Sequence, residues 1–118
     1  MSFTQTAHVV HAVALPDADL IESPLAPDQV VAGAPEVRFL ALHEGDDLAV
    51  GLWQHSAGVS TDVEADEVFI VLSGRATFEI AGGPTLEVGP GDVGLLPAGA
   101  VTRWTIHETL RKVYVVRP

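Results

Sequence analysis

The sequence contains no cysteine. That excludes a disulfide framework, a thiolate metal site and a cysteine nucleophile. Basic residues are scarce: 6 Lys and Arg stand against 16 Asp and Glu, for a formal net charge of −10. Such a balance repels phosphate backbones, so nucleic acid is not an expected partner. The first basic residue is Arg38, so the chain is not expected to carry a basic secretory or mitochondrial presequence. Pro, Gly or a charge interrupts every apolar run before it reaches the length of a membrane span. No membrane partner is therefore expected, and the expected location is the cytoplasm. There is also no Ser-His-Asp order, no phosphate-cradling glycine loop and no nucleotide fingerprint.

At 118 residues the chain is expected to form one domain with a real core. Its opening segment, 1–35, is rich in proline (Pro16, Pro24, Pro27, Pro35) and has little periodicity. It reads as an extended arm packing on the rest, with one strand over His8–Leu15 and a helical turn after Pro16. From 36 to 118 the texture changes to short apolar runs, each bounded by Gly, Pro, Asp or Ser. The runs are 37–43, 48–55, 67–73, 75–81, 85–89, 92–97, 101–107 and 110–117. That spacing predicts an all-β domain, a small antiparallel barrel or sandwich. The dipeptides Ser73-Gly74 and Gly82-Gly83 read as hairpin turns.

Strand periodicity then sorts the side chains. Glu67, Phe69 and Val71 share one face, with Val68, Ile70 and Leu72 on the other. Both faces are apolar apart from Glu67, which predicts a strand buried on both sides. Thr102, Trp104 and Ile106 share a face of a later strand, with Arg103, Thr105 and His107 opposite. Four of the six basic residues (Arg103, Arg111, Lys112, Arg117) lie in the last sixteen positions. They are expected to pair with acidic neighbours, the other reading being a docking patch for an anionic substrate.

The stretch Glu67–Gly74 fits E-x6-G, and Gly91–Gly99 fits G-x5-P-x-G, beginning 24 residues after the glutamate. These two motifs resemble the signatures of the cupin superfamily. The segments "GLWQHSAG" and "RWTIHETLRKVYVV" further resemble small single-domain cupins of the ureidoglycine aminohydrolase type. The similarity spans roughly residues 30–117. It implies a double-sheet, jelly-roll-like β-barrel, commonly paired as a homodimer. In metal-binding cupins a histidine follows the last glycine of the second motif by three residues, and a His-x-His precedes the glutamate. Here those positions hold Thr102 and, by either alignment, Thr61 and Val63 or Ser60 and Asp62. Of the four usual ligands only Glu67 remains. The metal site reads as degenerate, and no cofactor is expected, because one carboxylate does not make a transition-metal site.

Other residues bear on what could replace it. His55, in phase with Trp53, would meet Glu67 if both face the lumen. The two would form an acid/base pair, the candidate catalytic residues, or hold a weakly bound divalent metal. The competing reading leaves His55 exposed beside its turn. Glu67 at the entrance of a buried strand needs a partner, with Thr102 or an indole N–H of Trp53 or Trp104 expected. The neighbouring acidic residues Asp62, Glu64 and Asp66 read as a solvated loop at the barrel mouth. Trp53, Trp104 and Phe69 either line an aromatic cavity or fill the lumen. His8, His11, His43 and His107 receive no role.

The expected function is small-molecule binding in an aromatic pocket made by Trp53, His55, Glu67, Phe69, Thr102 and Trp104, with Glu67 and His55 as polar anchors. Two alternatives stay open. One is an aminohydrolase-like enzyme acting on a small nitrogenous or sugar-like metabolite. The other is a structural or regulatory dimer module. The sequence does not choose between binding and catalysis.

Overall fold

A computed structural model describes Phe3 and residues 6–118. Among the described residues the strands are β1 (Ile21–Glu22), β2 (Val30–Ala32), β3 (Val37–Glu44), β4 (Ala49–His55), β5 (Gly58–Val63), β6 (Asp66–Ile80), β7 (Thr85–Val88), β8 (Val93–Leu96) and β9 (Val101–Arg117). Two short 3-10 turns, Asp17–Asp19 and Pro27–Gln29, interrupt the opening segment. Every strand pair is antiparallel.

The barrel is built on one long ribbon, β6 against β9. The first half of β6 and the second half of β9 are flanked by β8 on one side and by β4, β3 and β1 on the other. The remaining halves are flanked by β7 and by β5 and β2. Two sheets thus share a pair of bent strands, which is the double-sheet barrel expected from the run spacing.

The bend has a cause in sequence. Ser73-Gly74, expected as a hairpin turn, instead lies inside β6, where the register to β9 shifts three times between Val71 and Ala76. Gly74 has φ +89°, and a methyl group there would collide with the carbonyl of Thr109. A bulge therefore replaces the turn, and two expected strands become one. The bulge also switches parity: Phe69 and Val71 point inward before it, and Ala76 and Phe78 after it. The expected strands 101–107 and 110–117 likewise fuse into β9. Gly82-Gly83 does turn the chain from β6 into β7, as expected.

Two other expectations are corrected. Residues 8–15 form no strand; a turn closes from Ala14 N–H to the His11 carbonyl. The carbonyls of Ala12, Val13 and Leu15 converge on the Arg111 guanidinium instead of joining a ladder, at 2.9, 3.4 and 2.7 Å. The strand at 67–72 is not buried on both faces, since Val68 and Ile70 are 36% and 39% exposed on the outside of the barrel. The helical turn after Pro16 is present. The strand Gly58–Val63, rich in polar residues, was not among the expected runs.

The core fills the closed end of the lumen with Phe69, Val71, Ala76, Phe78, Leu96, Trp104, Ile106 and Leu110. Trp104 stacks on Phe78 with centroids 4.4 Å apart, and Phe69 meets both rings edge-on. Each buried aromatic of this kind contributes about 2–3 kcal/mol.

Candidate functional site

At the other end the lumen is open. A cavity of about 250 Å³ is lined by Trp53, Trp104, Ser60, Glu64, Glu67, Lys112 and Tyr114, with Leu25, Thr61, Asp62 and Val116 at its margins. Its walls come from β4, β5, the start of β6 and both halves of β9, so residues of both sheets meet in it.

Glu67 faces the cavity, and its partner is Lys112: Nζ lies 2.7 Å from Oε2, with the two side chains 6% and 11% exposed. Neither Thr102 nor an indole takes that place. The ammonium also sits 4.5, 4.6 and 5.0 Å from the ring centroids of Trp53, Phe69 and Trp104. Cation–π attraction of this kind strengthens as water is removed. The Tyr114 ring fits because residue 51 is glycine; any side chain there would meet the phenol. Burial pushes the Tyr114 hydroxyl up, and the charges of Glu44 and Glu67 add to the rise.

Glu64, expected in a solvated loop, turns inward instead. Its backbone is clasped by the turn at Pro97–Ala100, which closes the Gly91–Gly99 motif: Glu64 N–H donates to the Ala100 carbonyl at 2.9 Å, and Gly99 N–H donates to the Glu64 carbonyl at 2.8 Å. Its side chain accepts a 3.0 Å hydrogen bond from the Thr102 hydroxyl, which in turn accepts from Trp104 Nε1 at 3.1 Å. Burial raises the Glu64 carboxyl above its ordinary value. Lys112 and the Thr102 bond oppose the rise, and the charges of Glu67 and Asp62 add to it. Thr102, at the position of an expected ligand histidine, thus serves as a link between an indole and a carboxyl.

His55 is completely buried. It neither reaches solvent nor pairs with Glu67. Nδ1 donates to the Ser56 carbonyl at 2.6 Å, and Nε2 accepts from the Ser60 hydroxyl at 2.8 Å. Burial lowers its proton affinity, the Ser56 bond opposes this, and the charge of Lys112 lowers it further. The imidazole is therefore a neutral wall element that orients Ser60, which itself lines the cavity.

Of the six residues expected to form the pocket, Trp53, Glu67 and Trp104 line it. His55, Phe69 and Thr102 lie behind it. Sequence reasoning missed Lys112, Glu64 and Tyr114. For Lys112 and Tyr114 the signal existed, since they share parity with Thr102, Trp104 and Leu110 along β9. For Glu64 there was none, because it lies between strands. The expected pairing of the terminal basic residues is seen for Lys112 with Glu67, Arg111 with Asp17 and Arg103 with Glu79.

The donors do not suit a metal ion. Among the described residues no group of three or more His, Asp or Glu side chains is placed to hold one. Both nitrogens of His55 are engaged, and a divalent cation at Glu67 would abut an ammonium.

A double-sheet barrel with a polar, aromatic site at one mouth of its lumen defines a small cupin. The EutQ-like cupin domain family matches residues 42–114, and the chain belongs to that family. Solved structures agree on the fold. EutQ of Clostridium difficile is similar at 16% identity, with 81% of each chain covered and a TM-score of 0.65. A putative ethanolamine utilization protein Q from Salmonella typhimurium matches at 25% identity over 70% of each chain, TM-score 0.63. A protein of unknown function from Pseudomonas syringae pv. tomato matches at 26% identity over 82% of this chain and 43% of its own, TM-score 0.73. No curated protein matches the sequence.

Proposed function

We propose that this chain is a cytoplasmic cupin that binds a small polar metabolite without a metal ion. The observation that carries this reading is the unfilled mouth of the lumen, about 250 Å³ between two tryptophans and a convergent set of polar groups. Its size falls below the common range of roughly 300–1,000 Å³ for ligand pockets, which restricts the occupant to a compact molecule. Donors come from Lys112 and Tyr114, acceptors from Glu64, Glu67, Asp62 and Ser60, and apolar faces from the rings. Glu67 acts as an anchor through its pair with Lys112, and His55 through Ser60. An aminohydrolase-type reaction through a bound metal has no donor set here to support it.

The chain's expected self-association belongs to the same proposal. Val68 and Leu95 are cross-strand neighbours, as are Ile70 and Val93, and all four are exposed on the outer face. A contiguous uncharged apolar patch on a molecule of net charge −10 favours a second copy over a charged partner.

The test is a metabolite screen on untagged protein, read by tryptophan fluorescence and thermal shift. Binding is expected to survive a chelator and to weaken at least about tenfold in Trp53→Ala and Glu67→Gln, for loss of a ring face and a charged anchor. Binding that needs added metal and vanishes with chelator would sink the reading.

A further inference from the structure

The lumen supplies a cation of its own. Lys112 is 5% exposed, bonded to Glu67 and enclosed by the faces of Trp53, Phe69 and Trp104. A carboxylate with three aromatic rings is the kind of cage that recognises free ammonium groups. Here the ammonium is delivered on a four-carbon stem from β9. A lysine suits the place better than an arginine, since it is a compact point charge with three rotatable donors. Glu67, the one ligand the resemblance retains, and His55, the residue that was expected to join it, both lie within its electrostatic reach, as does Glu64.

We propose that Lys112 is a tethered cation taking the electrostatic place of a metal ion in this barrel, and that removing its side chain leaves a binding site for a free small ammonium ion. The inference concerns the charge balance of the lumen and does not depend on the ligand-binding reading. Removing the lysine side chain takes away the ion-pair partner of Glu67, whose own side chain is only 11% exposed. Breaking one member of a buried pair costs far more than replacing both. The titratable groups around Nζ are Glu67 from β6, bonded to it, with Glu64 and His55 in electrostatic reach; Asp62 from β5 and Tyr114 from β9 line the same cavity.

Five proteins decide it: the wild type, Lys112→Met, Lys112→Ala, Glu67→Gln, and the double variant Lys112→Met with Glu67→Gln. In Lys112→Met the melting temperature is expected to fall by about 8 °C or more at pH 8. The double variant should recover most of the loss, because no buried charge is left unpaired. Lys112→Ala should gain about 4 °C or more with saturating methylammonium chloride over sodium chloride of equal ionic strength. The wild type should not gain. Calorimetric titration of the wild type with Zn²⁺, Ni²⁺ and Mn²⁺ should show no heat that depends on Glu67.

Equal stability of Lys112→Met and wild type at pH 8 would overturn the proposal, as would metal binding that Glu67→Gln abolishes. A folded Lys112→Ala indifferent to methylammonium would overturn the vacant-site half. If Lys112→Ala does not fold, the comparison of single and double Met variants decides alone. A double variant no better than Lys112→Met then counts against the proposal.

Discussion

Thr102 occupies the place where the cupin resemblance expects a metal-binding histidine, and its hydroxyl instead joins Trp104 Nε1 to Glu64. One atom is at once acceptor and donor, so the indole and the carboxyl each have a hydrogen-bond partner. Because burial raises the Glu64 carboxyl, the folded state favours its protonated form. The folded protein then holds this proton more tightly than the unfolded chain, so stability falls as pH rises from the ordinary value near 4.5 through the raised folded value. Glu64→Gln keeps an acceptor for Thr102 and removes that titration. Its melting temperature should exceed that of the wild type at pH 8, with the gap closing below pH 4.5; an unchanged pH profile would contradict the assignment. His55 runs the other way. Its proton affinity is lowered, so its contribution is intact above the ordinary value of 6.5 and declines as pH falls from there toward the folded value. His55→Ala should cost about 2–4 kcal/mol in urea denaturation, from lost volume and an orphaned Ser60.

At the scale of elements, the β6–β9 ribbon decides the shape of the molecule. Its bend sits at Gly74, where a positive φ and the nearby Thr109 carbonyl leave no space for a side chain. Gly74→Ala should lose about 2–5 kcal/mol, combining left-handed backbone strain with overpacking. A loss under about 0.5 kcal/mol in chemical denaturation would show that the ribbon can bend without it. The loop from Pro97 to Ala100 works as a second device. Gly99 adopts φ +86°, Ala98 N–H bonds Asp66 Oδ1 at 2.8 Å, and the turn clasps the backbone of Glu64. A motif that resembles metal-centre scaffolding here delivers a carboxyl to the mouth of the lumen.

For the whole molecule, the opening segment is tied to the barrel from both sides. β1 and β2 extend the two sheets, and Arg111 reaches from β9 to three carbonyls and to Asp17 Oδ1 at 2.8 Å. Gln54 completes its cage at 2.8 Å. Arg111 is 5% exposed, whereas the Asp17 side chain is 67% exposed, so the two ends of this contact differ in value. Arg111→Met should cost about 3–5 kcal/mol and speed amide exchange over residues 12–17. Asp17→Asn should cost less than about 1 kcal/mol, because its side chain stays in water. Equal effects of the two substitutions would mean that the carbonyl contacts do not hold the segment. No helix among the described residues is long and apolar enough to cross a membrane.

Much of this was legible in the chain itself. Period-two alternation put Phe69 with Val71 on one strand face and Trp104 with Ile106 on another, since a pleated strand sends successive side chains to opposite faces. The motifs Glu67–Gly74 and Gly91–Gly99 carried the resemblance to a cupin barrel, because each is local in sequence. Glu67 was singled out as a lone carboxylate on an apolar face. Tertiary structure alone decided the rest. Whether Ser73-Gly74 turns or bulges depends on β9 lying beside it, 30 or more residues away in sequence. That Glu67 meets Lys112, 45 positions on, and that His55 meets Ser60 instead, depends on which strands become neighbours. Composition and spacing set the side chain's face along its own strand; the partner across the lumen is fixed only when the sheet closes.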